Sequence, residues 1–463
     1  MKRFFSFLVL CFILSSCSQD DGYEPLMPEE NEELSGGDAT SFVFSPDAFG
    51  FFIDGLTFEE QVDFGVGNSL FNQNWVTAPS STTARDGLGP FFNARSCSGC
   101  HFKDGRGRAP AFAGELAHGL LLRLSVPGKD AQGKNLPDPI YGGQFQDNSI
   151  LDVQDEGIFE VVYENMNVTY PDGTQVTLRK PSYIFNELNY GAMAPDVRIS
   201  PRVANQMIGL GLLDAVPEAT FIALADENDA DGDGISGKVN YVFDEVTRTT
   251  KMGKFGWKAN EPTVLQQVAA AFSGDLGISS SIFPEQNCTS PLDCDDYPNG
   301  GNPEIPDENL EKVTFYALTL SVPARRDVDD QEVLEGKQFF DQINCTACHV
   351  PKLQTGISDV ADALSNQVIR PYTDMLLHYM GEGLADNATD FLATGNEWRT
   401  QPLWGIGLIE TVNGHTNLLH DGRARNIEEA ILWHGGEAEA SKNAFMNLSV
   451  QQRDKVLKFI NTL

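Results

Sequence analysis

The chain has 463 residues, 32 Lys and Arg against 66 Asp and Glu, a formal net charge of −34, and 41% hydrophobic residues. That length suggests two to three domains, and the apolar content is enough for a buried core. So acidic a chain repels nucleic acid and anionic lipid heads, which excludes both as expected partners, whereas a protein with a basic docking face would suit it.

Lys2 and Arg3 precede an apolar run from Phe4 to Leu14 that is too short to span a bilayer. It ends in Leu14-Ser15-Ser16-Cys17, which resembles a bacterial lipobox. Residues 1–17 therefore read as a lipoprotein signal peptide with Cys17 as the lipidated residue. No later stretch is long and apolar enough to span, so membrane contact is expected through the lipid anchor alone. The expected location is the outer membrane of a Gram-negative cell envelope, facing the periplasm or the exterior. Residues 18–40 are polar and acidic and read as a flexible tether.

From Ser41 to about Ala94 the sequence is aromatic-rich without a clear period. Then comes Cys97-Ser98-Gly99-Cys100-His101, and later Cys345-Thr346-Ala347-Cys348-His349. Each is a C-x-x-C-H. Two cysteines three apart on a helical turn can form thioethers to the two vinyl groups of one porphyrin, and the adjoining histidine reaches the iron. The competing reading, a zinc half-site, weakens when two such motifs occur in one chain with an export signal. The expected cofactors are two covalently bound haem c groups, held by Cys97, Cys100 and His101 and by Cys345, Cys348 and His349. Arg106 and Arg108, in the glycine-rich loop after the first motif, either pair with haem propionates or lie in a solvated turn.

Residues 119–182 look β-rich around the turn Pro171-Asp172-Gly173, so a small hairpin or sheet insert is expected. Val203 to Leu210 reads as helical, followed by a second helix opened by Pro217-Glu218. Next, Asp229, Asp231 and Asp233 alternate ahead of Gly234, with the Ile235 carbonyl as a further ligand: the first half of a calcium loop, the alternative being an acidic loop without an ion. Position twelve is Asn240 in place of the usual Glu, so oxygen coordination is expected without full EF-hand geometry. Cys288 and Cys294 share a short polar loop and suit a disulfide in an oxidising compartment. Helices are expected over 262–271, 307–320, 333–340, 426–433 and 451–463.

Five histidines remain besides the two in the motifs: His118, His378, His415, His420 and His434. A strong sixth ligand favours electron transfer, and an open iron favours substrate chemistry. For the second haem the candidates are His378, Met380 and His420. His118 lies seventeen residues after His101, close to the interval at which bacterial di-haem peroxidases place a distal histidine; it is the candidate ligand or acid–base of the first haem.

The chain resembles the di-haem oxidoreductase family, related to the bacterial di-haem cytochrome c peroxidases and the MauG group. The resemblance rests on Gly87-Leu-Gly-Pro-Phe-Phe-Asn-Ala-Arg-Ser-Cys97, Pro139-Ile-Tyr-Gly-Gly-Gln144, Asp231-Gly-Asp-Gly-Ile-Ser-Gly237, Phe255-Gly-Trp-Lys-Ala259, Val322-Pro-Ala-Arg-Arg326, His420-Asp-Gly-Arg-Ala424 and Trp433-His-Gly-Gly-Glu437. It implies a mainly α protein of two cytochrome-c-like haem domains with long loops, a small β insert and a structural calcium. The expected division is an N-terminal haem domain, 41–306, carrying the insert and calcium loop, and a C-terminal one, 307–463. The implied activity is peroxidase-like, with electrons relayed from the second haem to a catalytic first haem and His118 beside it. Its partners would be an electron-donor protein or small reductant, and a peroxide or other small oxidant. The alternative is an electron-transfer haem lipoprotein without turnover.

Overall fold

The computed structural model describes residues 25–117 and 119–463. The signal peptide with Cys17, the tether up to residue 24, and His118 lie outside the described residues.

Helix accounts for 28% of the chain and strand for 20%, spread over many small sheets. The expectation of a mainly α protein is therefore corrected. The β content begins with a long antiparallel hairpin, Gly157–Thr169 against Gln175–Leu188. Its turn has Gly173 at φ +89°, with the Gly173 N–H donating to the Tyr170 carbonyl and the Thr174 N–H to Asp172 Oδ1. Only glycine takes that φ without strain, so Pro171-Asp172-Gly173 fixes the register. Beside it the Leu120–Lys129 strand pairs with Asn135–Leu136, Gln144–Phe145 and Arg198–Val203. Val203, expected to begin a helix, ends this last strand, and the helix starts at Leu210. Elsewhere ladders of two or three residues pin loops together, among them Leu377–Tyr379 with Glu397–Arg399. Segments that short carry no legible period of two, which is why sequence reading understated the strand content.

The other expected helices are present with shifted ends. Val264–Leu276 is capped by Thr263, Gln331–Gln342 by Asp330, Ile427–Trp433 by Asn426, and Val450–Ile460 by a Ser449/Gln452 capping box. In each the cap side chain accepts from an N–H that the first turn leaves unpaired.

Two helix pairs organise the two haem motifs. Phe58–Asn72 packs on Asp307–Leu318, and Gln331–Gln342 packs on Val450–Ile460. A glycine sits at each crossing: a Cβ on Gly67 would strike the Lys312 carbonyl, and one on Gly336 the Lys455 carbonyl. At the end of each pair an aromatic ring reaches the motif histidine. Phe71 lies 6.2 Å from His101 and also touches Tyr316; Phe340 lies 6.2 Å from His349 and also touches Phe459. Two hydrophobic clusters surround these pairs. The helix Asp307–Leu318, at the start of the expected C-terminal domain, thus packs against Phe58–Asn72, the helix that brings Phe71 to the first motif.

From Glu32 onward the expected tether is largely buried. Glu32 and Arg325 form an ion pair with both side chains 1% exposed, and Lys337 reaches Glu32 at 2.6 Å. Thr40–Ser41 runs parallel to Val322–Pro323. The reading of 18–40 as flexible fails at least from Glu32 onward, because composition alone could not anticipate a buried partner for that carboxylate. Cys288 and Cys294 are joined by a disulfide, as expected. No described helix is long and apolar enough to cross a membrane.

Candidate functional site

Each C-x-x-C-H opens onto its own cavity. The two are nearly equal, ≈ 200 and ≈ 210 Å³. At the first, Cys97–Cys100 forms one helical turn and the His101 N–H donates to the Cys97 carbonyl at 2.9 Å. At the second, the His349 N–H donates to the Cys345 carbonyl at 2.9 Å. The imidazoles are fixed in the same way. His101 Nδ1 donates to the Asn205 carbonyl at 2.6 Å, and His349 Nδ1 to the Tyr372 carbonyl at 3.1 Å. With the proton held on Nδ1, the Nε2 lone pair is left for a metal. Burial lowers the pKa of both rings, that of His349 to about 4 with His434 adding to the effect. Both therefore stay neutral, as ligation requires. Burial also pushes Cys97 and Cys345 up to about 12 and raises Cys100 and Cys348. Burial thus disfavours the free thiolate at both motifs.

The wall between the cavities carries two buried guanidiniums. Arg106 and Arg399 line both cavities. Arg106 donates to the carbonyls of Asn417 and Leu419 and stacks 5.0 Å from the Trp257 ring centre. Arg399 donates to the Gly256 carbonyl, Met375 Sδ and Gln401 Oε1. Burial lowers their pKa values to about 10 and about 9. No carboxylate among the described residues forms an ion pair with either. A buried cation without a counter-ion is costly. A porphyrin brings two carboxylates, so the donor set fits haem. Of the two arginines expected at propionates, only Arg106 is placed for it; Arg108 pairs with Glu115 at 2.6 Å, away from the cavities. Trp257 also lines both cavities, its Nε1 fixed on the Val203 carbonyl at 2.8 Å.

All three candidates for the second haem, His378, Met380 and His420, do line the second cavity. They are not equivalent. His378 has both ring nitrogens on carboxylates: Nε2 lies 2.8 Å from Asp374 Oδ2 and Nδ1 2.7 Å from Glu437 Oε2. Burial works against its charge, yet the bonds to Asp374, Cys348 and Glu437 hold its pKa well above the ordinary value. Neither nitrogen is left for iron. His420 donates from Nδ1 to the Pro201 carbonyl at 2.8 Å and stacks on Trp398, 3.9 Å and 12° apart; its buried Nε2 has no hydrogen-bond partner. His434 joins them on the wall, with Nδ1 donating to the Ala430 carbonyl at 2.7 Å. It repeats the arrangement of His101 and His349, and sequence reading left it out of the ligand candidates. Its signal was its place after Trp433 in the quoted Trp-His-Gly-Gly-Glu run. In the acidic loop, Asp229 and Asp231 converge with Asp226, their carboxylates within 4.8 Å of one another. Asp226 was missed, and Asp233 instead accepts the Ile235 N–H at 2.8 Å.

Paired cavities, each built on a C-x-x-C-H with a pre-oriented histidine and divided by buried cations that lack an ion-pair partner among the described residues, suit a protein that holds two redox groups. The family model described as "di-haem oxidoreductase, putative peroxidase" matches residues 30–463, and the chain belongs to that family. Two haems and an oxidoreductase role follow from that membership. No curated protein and no solved structure matches.

Proposed function

We propose that this di-haem oxidoreductase is an exported, peroxidase-like enzyme. The site at residues 97–101 is the reactive one, and the site at 345–349 relays electrons to it. Each haem is held by thioethers to its two cysteines. One observation carries the division of labour. The second cavity is lined by His349, His378, His420 and His434, whereas among the described residues His101 is the one histidine lining the first. His434 and His420, each with Nδ1 held on a backbone carbonyl, would be the further residues able to hold an iron through Nε2 at the second site.

Bound haem supplies one-electron transfer, and peroxide reduction where its iron has an open position. The chain does the rest. His101 and His349 present Nε2, Arg106 and Arg399 balance carboxylates in the dividing wall, and Trp257 spans that wall as the path between sites. His118 is proposed as the distal ligand or acid–base of the first site, where peroxide cleavage needs a proton donor. The partners are a basic electron-donor protein or small reductant, and a peroxide or other small oxidant. Calcium is proposed at the loop of Asp226, Asp229 and Asp231, where chelation should lower stability. A lipid anchor at Cys17 in the bacterial envelope is proposed on the sequence of residues 1–17, and the disulfide is compatible with it.

Electron paramagnetic resonance and optical spectra of the oxidised and half-reduced protein test the reading. A high-spin signal that disappears on adding peroxide, beside one low-spin haem, is expected. Two low-spin haems in both states, inert to peroxide, would sink it in favour of a plain electron-transfer lipoprotein.

A further inference from the structure

His378 is buried in the wall of the second cavity, 3% exposed, with nothing left for iron. A carboxylate has no hydrogen to offer at neutral pH, so each ring nitrogen facing one must carry its own, and the ring is an imidazolium. Both carboxylates are themselves anchored. Asp374 takes the Leu376 N–H on Oδ1 at 2.9 Å, and its own N–H donates to the Cys348 carbonyl at 3.0 Å. Glu437 accepts from the Ser236 N–H at 3.1 Å, from Ser236 Oγ at 2.7 Å and from the Tyr379 N–H at 3.1 Å. The strand carrying His378 is locked from the other side, where Leu377 and Lys238 exchange backbone bonds at 2.8 and 2.9 Å. The ring cannot swing towards the iron without taking its charge away from both carboxylates, of which Asp374 is buried and Glu437 partly so.

The clamp also touches the haem attachment. His378 Nδ1 lies 3.5 Å from Cys348 Sγ. In the loaded protein that sulfur is a thioether, an acceptor without a proton. Cys348, Asp374 and His378 also lie within the reach of one metal ion, but the sulfur belongs to the thioether and both ring nitrogens are taken.

We propose that His378 is a positioning residue of the second haem: clamped as an imidazolium by Asp374 and Glu437, it steadies the Cys348 sulfur and raises the potential of the iron bound there. The proposal rests on the two-haem reading. A fixed positive charge in a low-dielectric wall disfavours the ferric state, which carries one more positive charge than the ferrous, and a fixed negative charge does the opposite.

The test is a redox titration of the holoprotein at pH 6, followed optically, for wild type, His378→Gln and Glu437→Gln. Two one-electron waves are expected in wild type. His378→Gln should move one wave to lower potential, and Glu437→Gln should move that same wave to higher potential. The other wave should stay in place in both variants. A merely structural role would not give opposite signs on one wave. The proposal is overturned if both waves stay put or if the two variants shift in the same direction. It is also overturned if His378→Gln turns a low-spin haem high-spin, which would make His378 the iron ligand. If His378→Gln does not accumulate, Glu437→Gln decides alone, and no upward shift overturns the proposal. Uptake of only one electron per wild-type molecule would mark failure of the two-haem reading itself.

Discussion

Replacing Asp386 by Asn leaves a cation stranded in the interior. Lys258 and Asp386 both have side-chain exposure of 0%, with Nζ 3.0 Å from Oδ1. The ammonium also donates to the carbonyls of Ala388 and Thr394 at 3.0 and 2.8 Å, and it sits 4.2 Å from the centre of the Trp398 ring. The same indole stacks on His420 in the second cavity. Burial pulls the Lys258 pKa down, and Asp386 pulls it back up. Removing one partner of a buried pair costs about 3–5 kcal/mol, because the survivor is left uncompensated. Two carbonyls and an aromatic face stay behind, so the lower end, about 3 kcal/mol, is expected. The assay is denaturant unfolding of the holoprotein for Asp386→Asn, Lys258→Met and the double variant Lys258→Met/Asp386→Asn. The double variant should lose clearly less than the sum of the singles, since it removes both charges together. A single-variant cost below about 1 kcal/mol, or strict additivity, would refute the claim that these charges depend on each other.

Stability should also depend on pH through Glu156. Burial raises this carboxyl to about 8 from an ordinary 4.5. Between those values the folded state holds a proton that the unfolded chain has released, so stability falls as pH rises across that window, by roughly 1.4 kcal/mol per unit at most. Thermal melts at pH 5 and pH 8 should show the decline in wild type and little of it in Glu156→Gln; equal declines would assign it to another group. Gly336→Ala would press a methyl on the Lys455 carbonyl where Gln331–Gln342 crosses Val450–Ile460. An overpacking cost of about 1–3 kcal/mol is expected in unfolding measurements, whereas Gly65→Ala, inside Phe58–Asn72 with open space at its Cβ, should stabilise by about 0.5–1 kcal/mol. Mass spectrometry of the double changes Cys97→Ala/Cys100→Ala and Cys345→Ala/Cys348→Ala should show the loss of one covalent haem each; an unchanged mass of bound haem in either would refute thioether attachment at that motif.

The local elements of this protein were legible where the signal is local. Thr263, Asp330, Asn426 and Ser449 mark helix starts because an N-cap is a contact between residues two or three apart. Pro171-Asp172-Gly173 marks its hairpin because the φ it requires is a property of glycine itself. The short ladders were not legible, because a two-residue strand exists only through its distant partner. Thr40–Ser41 is defined by Val322–Pro323, and Glu32 leaves the expected tether only because Arg325 waits for it.

The same division holds at the site. The two C-x-x-C-H motifs were legible in the sequence alone, because the cysteines and histidine of each lie within five consecutive residues. Which other histidines could reach an iron was not, because that depends on which nitrogen is already taken. His378, His420 and His434 look alike in the chain. In the fold, His378 gives both nitrogens to Asp374 and Glu437, while His420 and His434 each give Nδ1 to a carbonyl. Likewise, Arg106, Trp257 and Arg399 lie some 140 to 290 residues apart in sequence and form one wall between two cavities. A motif is written in neighbouring residues; the charge and the free lone pairs around it are set by partners that only tertiary packing brings within hydrogen-bond reach.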